Sequence, residues 1–424
     1  LAHAGPDDTV TLRCGRMVHG GVCLGRLDGG GSVMVEHALP GELVRARLRF
    51  RARGTWFAET VDVLEPSADR VDPPCPYVPA CGGCQLQHVA YERQLELKRE
   101  VVVDALRRRR VDIPADIGVH GARQPWRYRI RGEFHVVPGR EGLRDAGLGF
   151  NRSRSWTSIA VDDCLIHHRR ITDSLDALRQ MVRLGGAATL RVLHLTTGEE
   201  GRELLVGSKP RGALDAATVD DVALKRDLRV SREWTTLRWR GRTYRVRPET
   251  FVQVHWEQMD VLYEHVLQAL GDCTGQRIVD AHAGVGVLAC VVAAGAAEVV
   301  CVESNRATAR IGVLNASING VDGVVRYVPG LAEEAVPALA ALVPIDAVLL
   351  DPPRAGCDNR LTAWLALAGP RRLVYVSCNP ATLARDLAIL SSSGPYVVTS
   401  LDVVDMFPQT YHVESVVALA RDNT

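Results

Sequence analysis

Hydrophobic and polar positions change rhythm three times along the chain. From Thr9 to Glu65, short alternating runs are separated by glycine-rich turns: VTLRCGRMVHG, GVCLGRLDGGG, SVMVEHALPGE, LVRARLRFRARGTW and FAETVDVLEP. Alternation of period two with such punctuation predicts five short strands and a small β-barrel of the oligonucleotide-binding type. A long polar helix is predicted from about Tyr91 to Arg110. Residues 126–250 alternate again in runs such as WRYRIRGEFHVV and TTLRWRGRTYRVRP, with a helix near Arg169 to Leu184. After Phe251, apolar strands such as AVLL and RLVYVS alternate with helices, the pattern of a mostly parallel, doubly wound α/β sheet. The breaks divide the chain into a barrel (1–66), a mixed α+β central domain (67–250) and a Rossmann-like domain (251–424), with the 91–110 helix free to pack on the last.

Composition narrows the class. The chain has 424 residues, of which 46% are hydrophobic, enough for several cores and too apolar for a disordered chain. The longest apolar run, Val285 to Ala297, falls short of the roughly 18 residues of a membrane span. The opening LAHAGPDD has neither the charged leader nor the apolar core of a secretory signal, so a soluble cytoplasmic protein is expected. Eleven cysteines, an odd count on a long chain, argue against a disulfide framework and for metal-binding or reactive thiols. The net charge of +1 conceals two opposed parts: residues 251–424 hold 10 Lys+Arg and 18 Asp+Glu, leaving 41 and 32 for residues 1–250. A basic front half suits a polyanionic partner. Within it, Arg45, Arg47, Arg49, Arg51 and Arg53 alternate with small or apolar residues, which on one strand predicts five guanidinium groups on one face, opposite phosphates.

Three groups of residues carry candidate chemistry. Cys75, Cys81 and Cys84 lie in CPYVPACGGC, where Gly82 and Gly83 permit a tight turn, and Cys164 follows 80 residues after Cys84. Four such thiols suit either a [4Fe–4S] cluster or tetrahedral zinc, and spacing alone does not separate the two, nor does it exclude a site without metal. In RIVDAHAGVGVLA an apolar strand ends at Asp280, and Gly284 and Gly286 precede a helix, an arrangement that lets a ligand approach the backbone at the C-terminal sheet edge. Glu303 ends the next strand, where a carboxylate can hold two ribose hydroxyls, and no phosphate-binding lysine follows; this favours S-adenosylmethionine over a dinucleotide or ATP. The third group is Asp351 after AVLL, Cys378 after RLVYVS and Glu414 in HVESVVAL. A cysteine just before a helix can be held as a thiolate nucleophile, and a carboxylate in an apolar strand requires a partner or a function.

SCNPATLARD, DPPRAGCD, MFPQTYHVES and the cysteine cluster closely resemble the RNA uracil-C5 (5-methyluridine) methyltransferase family, and residues 9–65 resemble its TRAM domain. The resemblance implies a [4Fe–4S] cluster on Cys75, Cys81, Cys84 and Cys164, Cys378 as nucleophile, Glu414 as base, Asp351 in the active site, and Gln253, Asp280, His282, Gly284, Gly286 and Glu303 around the methyl donor. The chain departs from the family at His282, where an aromatic residue is usual, at Val287, and at Gly330 and Leu331, which bear on donor affinity. The barrel and cluster together are more typical of the ribosomal RNA branch than of the transfer RNA branch. A contrasting reading is a non-catalytic iron–sulfur redox sensor that binds RNA; the intact Cys378, Asp351 and Glu414 argue against it.

Overall fold

Alternation through the first 65 residues closes a five-stranded barrel, seen in a computed structural model that describes residues 5–198, 201–392 and 394–422. Its strands are β1 (Thr9–Val18), β2 (Val22–Arg26), β3 (Ser32–Glu36), β4 (Leu43–Ala52) and β5 (Thr55–Glu65), in the spatial order β1-β2-β3-β5-β4. Inward positions such as Leu12, Val33, Val35, Val44 and Leu48 form the core. The arginine ladder is corrected by two features of β4. Alternation holds as far as Leu48, with Arg45 and Arg47 outward between buried Val44, Ala46 and Leu48, but the register shift after Leu48 ends it, leaving Arg49, Phe50, Arg51 and Ala52 all exposed, and Arg53 lies beyond the strand with a left-handed φ of 48°. Three of the arginines are also paired on the barrel's outer surface: Arg45 with Asp62, Arg47 with Glu59 at 3.7 Å, and Arg49 with Asp7 at 3.2 Å and Glu59 at 3.5 Å. Carboxylates on the neighbouring chain segments therefore offset much of the positive charge that the sequence displays.

The polar helix is α1 (Tyr91–Arg108), which ends where Arg110 turns to a left-handed φ of 58°. Its apolar stripe is divided, with Leu97 packed in the barrel core and Val102 and Leu106 in a core of the C-terminal domain. After it, β6 (Gly118–His120) adds a strand to the C-terminal sheet, so residues 91–120 pack largely with the layer that the sequence breaks place after residue 250. The central sheet is formed by β7 (Arg131–Gly139), β8 (Gly142–Asn151), β9 (Ser158–Ala160), β10 (Val192–Gly198), β11 (Glu203–Lys209) and β12 (Val230–Ser231). The helix expected near 169–184 is two, α2 (Arg169–Thr172) and α3 (Leu175–Gly185); with α4 (Ala216–Lys225), α3 covers the sheet through Leu178, Met181, Val182, Val219 and Val222. The hairpin β13 (Thr235–Trp239) and β14 (Arg242–Val246) buries Leu237, Trp239, Tyr244 and Val246 in a core shared with the C-terminal domain.

The last domain contains α5 (Trp256–Leu270), β15 (Arg277–Asp280), α6 (Val287–Val292), β16 (Glu298–Glu303), α7 (Arg306–Ile318), β17 (Val325–Pro329), α8 (Ala332–Leu342), β18 (Ala347–Leu350), α9 (Asn359–Ala368), β19 (Arg372–Ser377), α10 (Pro380–Leu387), β20 (Tyr396–Val404) and β21 (Glu414–Arg421). The eight-stranded order is β17-β16-β15-β18-β19-β21-β20-β6. All pairs are parallel except those of β21, which runs against β19 and β20. Central strands such as β18 are buried along their whole length, as expected of a sheet covered on both faces. The reversal of β21 has a functional consequence: its first residue, Glu414, comes to the edge at which the parallel strands end.

Candidate active site

Asp351 follows β18, Cys378 follows β19 and Glu414 starts β21, and these strands are neighbours. The pairing of Ser377 with Ser415 sets Cys378 and Glu414 side by side. Asn379 caps α10 by accepting a hydrogen bond from Ala381 N–H at 3.1 Å, and its Nδ2 donates to the Arg354 carbonyl at 2.9 Å, tying the cysteine turn to the DPPR loop. Glu414 is 5% exposed. Burial, reinforced by Asp351 and opposed by Arg354, raises its carboxyl well above the usual carboxylate range. The Cys378 thiol is pushed up to about 12 by burial, then by Glu414 and Asp351, with Arg354 acting in the opposite sense. The helix N-terminus and Arg354 favour the thiolate, while desolvation and the two carboxyls oppose it.

A second cleft adjoins this edge, lined by Gln253, Asp280, His282, Gly284 and Asp351. Gly284 and Gly286 have φ of 55° and 78°, left-handed conformations that the tight turn requires. A Cβ on Gly286 would lie 2.5 Å from the Tyr327 hydroxyl. Burial raises Asp351 and Asp280 to about 7, with Asp351 adding to the effect on Asp280. His282 is driven down to about 4 by burial, and its Nδ1 has no partner. Glu303 accepts hydrogen bonds from Gly284 N–H at 3.0 Å and Asn305 N–H at 2.7 Å, so its carboxylate shapes the glycine turn, and it is not among the residues lining the cleft.

The four cysteines at 75, 81, 84 and 164 line one cavity in the central domain. All eleven cysteines are free. Gly82 allows the loop to approach β8, since a Cβ there would meet the Asn151 carbonyl at 3.1 Å. Burial raises the Cys84 and Cys164 thiols to about 12. Among the described residues, no three of these sulfurs lie within 4.8 Å of one another. Arg129 Nε, His167 Nε2 and Gln87 Oε1 are buried without partners, and all three residues line the same cavity. The loop is also fastened to the segment leading to Glu414: Gln85 and Leu86 N–H donate to the Gln409 carbonyl at 3.1 and 2.9 Å, and the Tyr128 hydroxyl donates to Pro408 O at 3.0 Å.

Residues 214–422 match the family model described as tRNA (uracil-5-)-methyltransferase. An RNA methyltransferase of Halalkalibacterium halodurans is 32% identical, covering 98% of each chain. A 23S rRNA (uracil(1939)-C(5))-methyltransferase of Shewanella amazonensis is 32% identical, covering 96% of this chain and 94% of its own. The chain belongs to the RNA uracil-C5 methyltransferase family. In fold, this methyltransferase is similar to a Pyrococcus abyssi tRNA (uracil-54, C5)-methyltransferase solved in complex with S-adenosyl-L-homocysteine, with a TM-score of 0.75 and 23% identity, covering 96% of this chain and 99% of that one.

Two residues of the methyltransferase site escape sequence reasoning. Tyr263 is buried against Asp351, Asp280 and Glu414 and lines the glycine-turn cleft, yet on α5 it occupies an apolar stripe and reads as core. Arg354 is exposed, lies 3.2 Å from His412 Nε2, and is the cation acting on both Cys378 and Glu414. Its place directly after Asp351-Pro352-Pro353 was the available signal.

Proposed function

We propose that this methyltransferase moves the methyl group of S-adenosylmethionine to uracil C5 of RNA, with ribosomal RNA preferred over transfer RNA, by covalent addition of Cys378 to C6 and removal of the C5 proton by Glu414. The observation that carries this reading is the meeting of Cys378, Glu414 and Asp351 at one sheet edge beside the glycine-turn cleft. Uracil C5 is a weak nucleophile. When the thiolate forms an S–C6 bond, the C5–C6 electron pair moves onto O4, and the resulting enolate attacks the sulfonium methyl through C5. The S–CH3 bond breaks with its electrons passing to sulfur, leaving S-adenosylhomocysteine. Glu414 then takes the C5 proton, the C5–C6 double bond returns and the S–C6 bond breaks, restoring the cysteine. A carboxylate with a raised pKa is a stronger base than an ordinary one, which suits that step. Reaching buried Glu414 and half-buried Cys378 and Asp351 at the sheet edge requires the uridine to leave its stack.

Ribosomal RNA is favoured by the similarity to the Shewanella enzyme over nearly its whole length. The test is to map 5-methyluridine in ribosomal and transfer RNA from cells with and without the protein. Loss of one ribosomal 5-methyluridine is expected; loss confined to transfer RNA overturns the substrate assignment.

Donor binding should be pH-dependent. Asp280 and Asp351, both raised to about 7 by burial, are mostly protonated at pH 6 and ionised at pH 8. A cationic sulfonium prefers the ionised form, so affinity should rise from pH 6 to 8, by up to about tenfold per unit for each carboxyl that loses a proton. Calorimetry in buffers of different ionisation enthalpy should register proton release, and Asp351→Asn should flatten the profile.

Cys75, Cys81, Cys84 and Cys164 would hold a [4Fe–4S] cluster. Four cysteines lining one cavity supply the thiolate set that such a cluster needs, with tetrahedral zinc as the competing occupant. The orphan Arg129 Nε and His167 Nε2 are placed to face such an anionic centre. When bound, the group supplies covalent cross-links between the cysteine loop and the Cys164 segment, and the loop's hydrogen bonds to Pro408 and Gln409 extend that rigidity toward Glu414. An anaerobically purified sample should contain about four irons per chain; a colourless sample with zinc and no iron overturns the assignment.

A further inference from the structure

Two imidazoles and one carboxylate converge on the α5 side of the sheet, in a group that the methylation chemistry does not use. His120 ends β6, His265 lies on α5 and Asp402 lies on β20. His120 Nε2 is 2.9 Å from Asp402 Oδ1, His265 Nδ1 is 3.5 Å from the same oxygen, and all three donor atoms lie within 4.8 Å of one another. The two ring centroids are 3.9 Å apart with 34° between their planes. Side-chain exposures of 27%, 18% and 20% leave the group reachable from solvent yet enclosed on most sides.

The surrounding backbone keeps this space open. Gly118 pairs with Asp402 across the parallel strands, and a Cβ on it would fall 2.1 Å from Asp402 Oδ1 and 2.6 Å from His120 Nε2. Any side chain at 118 would therefore occupy the point where the donors meet. The His120 backbone is held independently: its carbonyl accepts hydrogen bonds from Gln258 Nε2 at 2.8 Å and from Asp405 N–H at 2.9 Å. One ligand is thus fixed by the main chain, a second by a helix and a third by the neighbouring strand.

We propose that His120, His265 and Asp402 form a binding site for a divalent transition-metal ion of the zinc class, which fastens β6 and α5 to β20. Two nitrogens and one oxygen match the preference of zinc, cobalt and nickel and not that of magnesium or calcium, which take oxygen ligands. A tetrahedral ion with bonds of about 2.0–2.1 Å sets its ligands about 3.4 Å apart; His265 and Asp402 stand close to that at 3.5 Å, and His120 and Asp402, hydrogen-bonded at 2.9 Å, need open by only a few tenths of an ångström. Water completes the fourth position. The elements so joined lie directly behind the active edge: Val404 on β20 pairs with both His120 and Glu414, and α5 carries Tyr263. The ion is a brace for that edge, and the site does not depend on the identity of the RNA substrate.

Zinc titration of the full-length protein tests the proposal, with cobalt as a second probe. One equivalent should bind, and its dissociation constant should weaken at least about 100-fold in His265→Ala and in Asp402→Asn, since loss of even an outer-shell partner costs 10–100-fold. The same equivalent should persist in Cys75→Ser/Cys164→Ser, which separates it from the cysteine cavity. Zinc-edge X-ray absorption on that cysteine variant needs no change to the proposed ligands; it should show nitrogen and oxygen scatterers at about 2.0–2.1 Å. Absence of zinc binding by the cysteine variant, or equal binding by the parent, His265→Ala and Asp402→Asn, overturns the site.

Discussion

Glu414→Gln should accumulate a covalent protein–RNA complex that survives denaturing electrophoresis, whereas Cys378→Ala should form none and lose methylation by at least roughly 10³-fold, the scale of losing a nucleophile. The two variants differ because they interrupt the reaction on opposite sides of methyl transfer. Without the thiol, no enolate forms at C5. With a glutamine at 414, addition and methyl transfer still proceed, but the C5 proton has no acceptor and the S–C6 bond cannot be released at its normal rate; general base catalysis at such a step is worth about 10²–10⁴. Glutamine also removes the buried acid beside Cys378, one of the groups that raise its thiol, so the adduct should form at least as readily as in the parent. Mass spectrometry of the trapped complex should find the nucleotide on Cys378 with the methyl group already attached. An adduct on another cysteine, or full methylation by Cys378→Ala, excludes the proposed chemistry.

That site was legible where local pattern and chemistry coincide. Asp351 and Cys378 directly follow buried strands, whereas the reversal of β21 that brings Glu414 to the same edge has no local signal, since strand direction is set by pairing with β19 and β20. Arginine alternation in β4 misled in part for a physical reason: period two holds as far as Leu48 and ends at the register shift beyond it, while carboxylates from β5 and Asp7 pair with Arg45, Arg47 and Arg49. The three-residue strand β6 carries no periodic signal at all, so nothing local to it discloses that residues 118–120 complete the eight-stranded sheet. Tyr263 shows the converse, since a tyrosine on an apolar stripe satisfies the core pattern while its hydroxyl end belongs to the site.

The attachment of α1 to the active edge predicts the largest stability effect. Lys98 Nζ donates to Asp405 Oδ1 at 2.6 Å and to the Phe407 carbonyl at 3.0 Å, with side-chain exposures of only 3% and 1% for the ion pair. Asp405 further accepts from the Tyr91 hydroxyl at 3.0 Å and the Phe407 N–H at 3.1 Å. Burial works against the Lys98 charge and Asp405 sustains it. Asp405→Asn therefore leaves an ammonium group in the interior with no anion, and removing one partner of a buried pair costs about 3–5 kcal/mol. Lys98→Met should cost less, because Asp405 retains two hydrogen-bond donors. Lys98→Met/Asp405→Asn should recover much of the loss, because no unpaired charge remains, giving a coupling well outside additivity. Urea unfolding gives the stabilities, and hydrogen exchange of residues 405–412 locates the effect. If α1 is a clamp on that segment, Asp405→Asn should deprotect those amides and slow adduct formation at Cys378 together, since the segment leads straight into Glu414. Equal stability of Asp405→Asn and the parent would show that the pair contributes nothing to holding this edge.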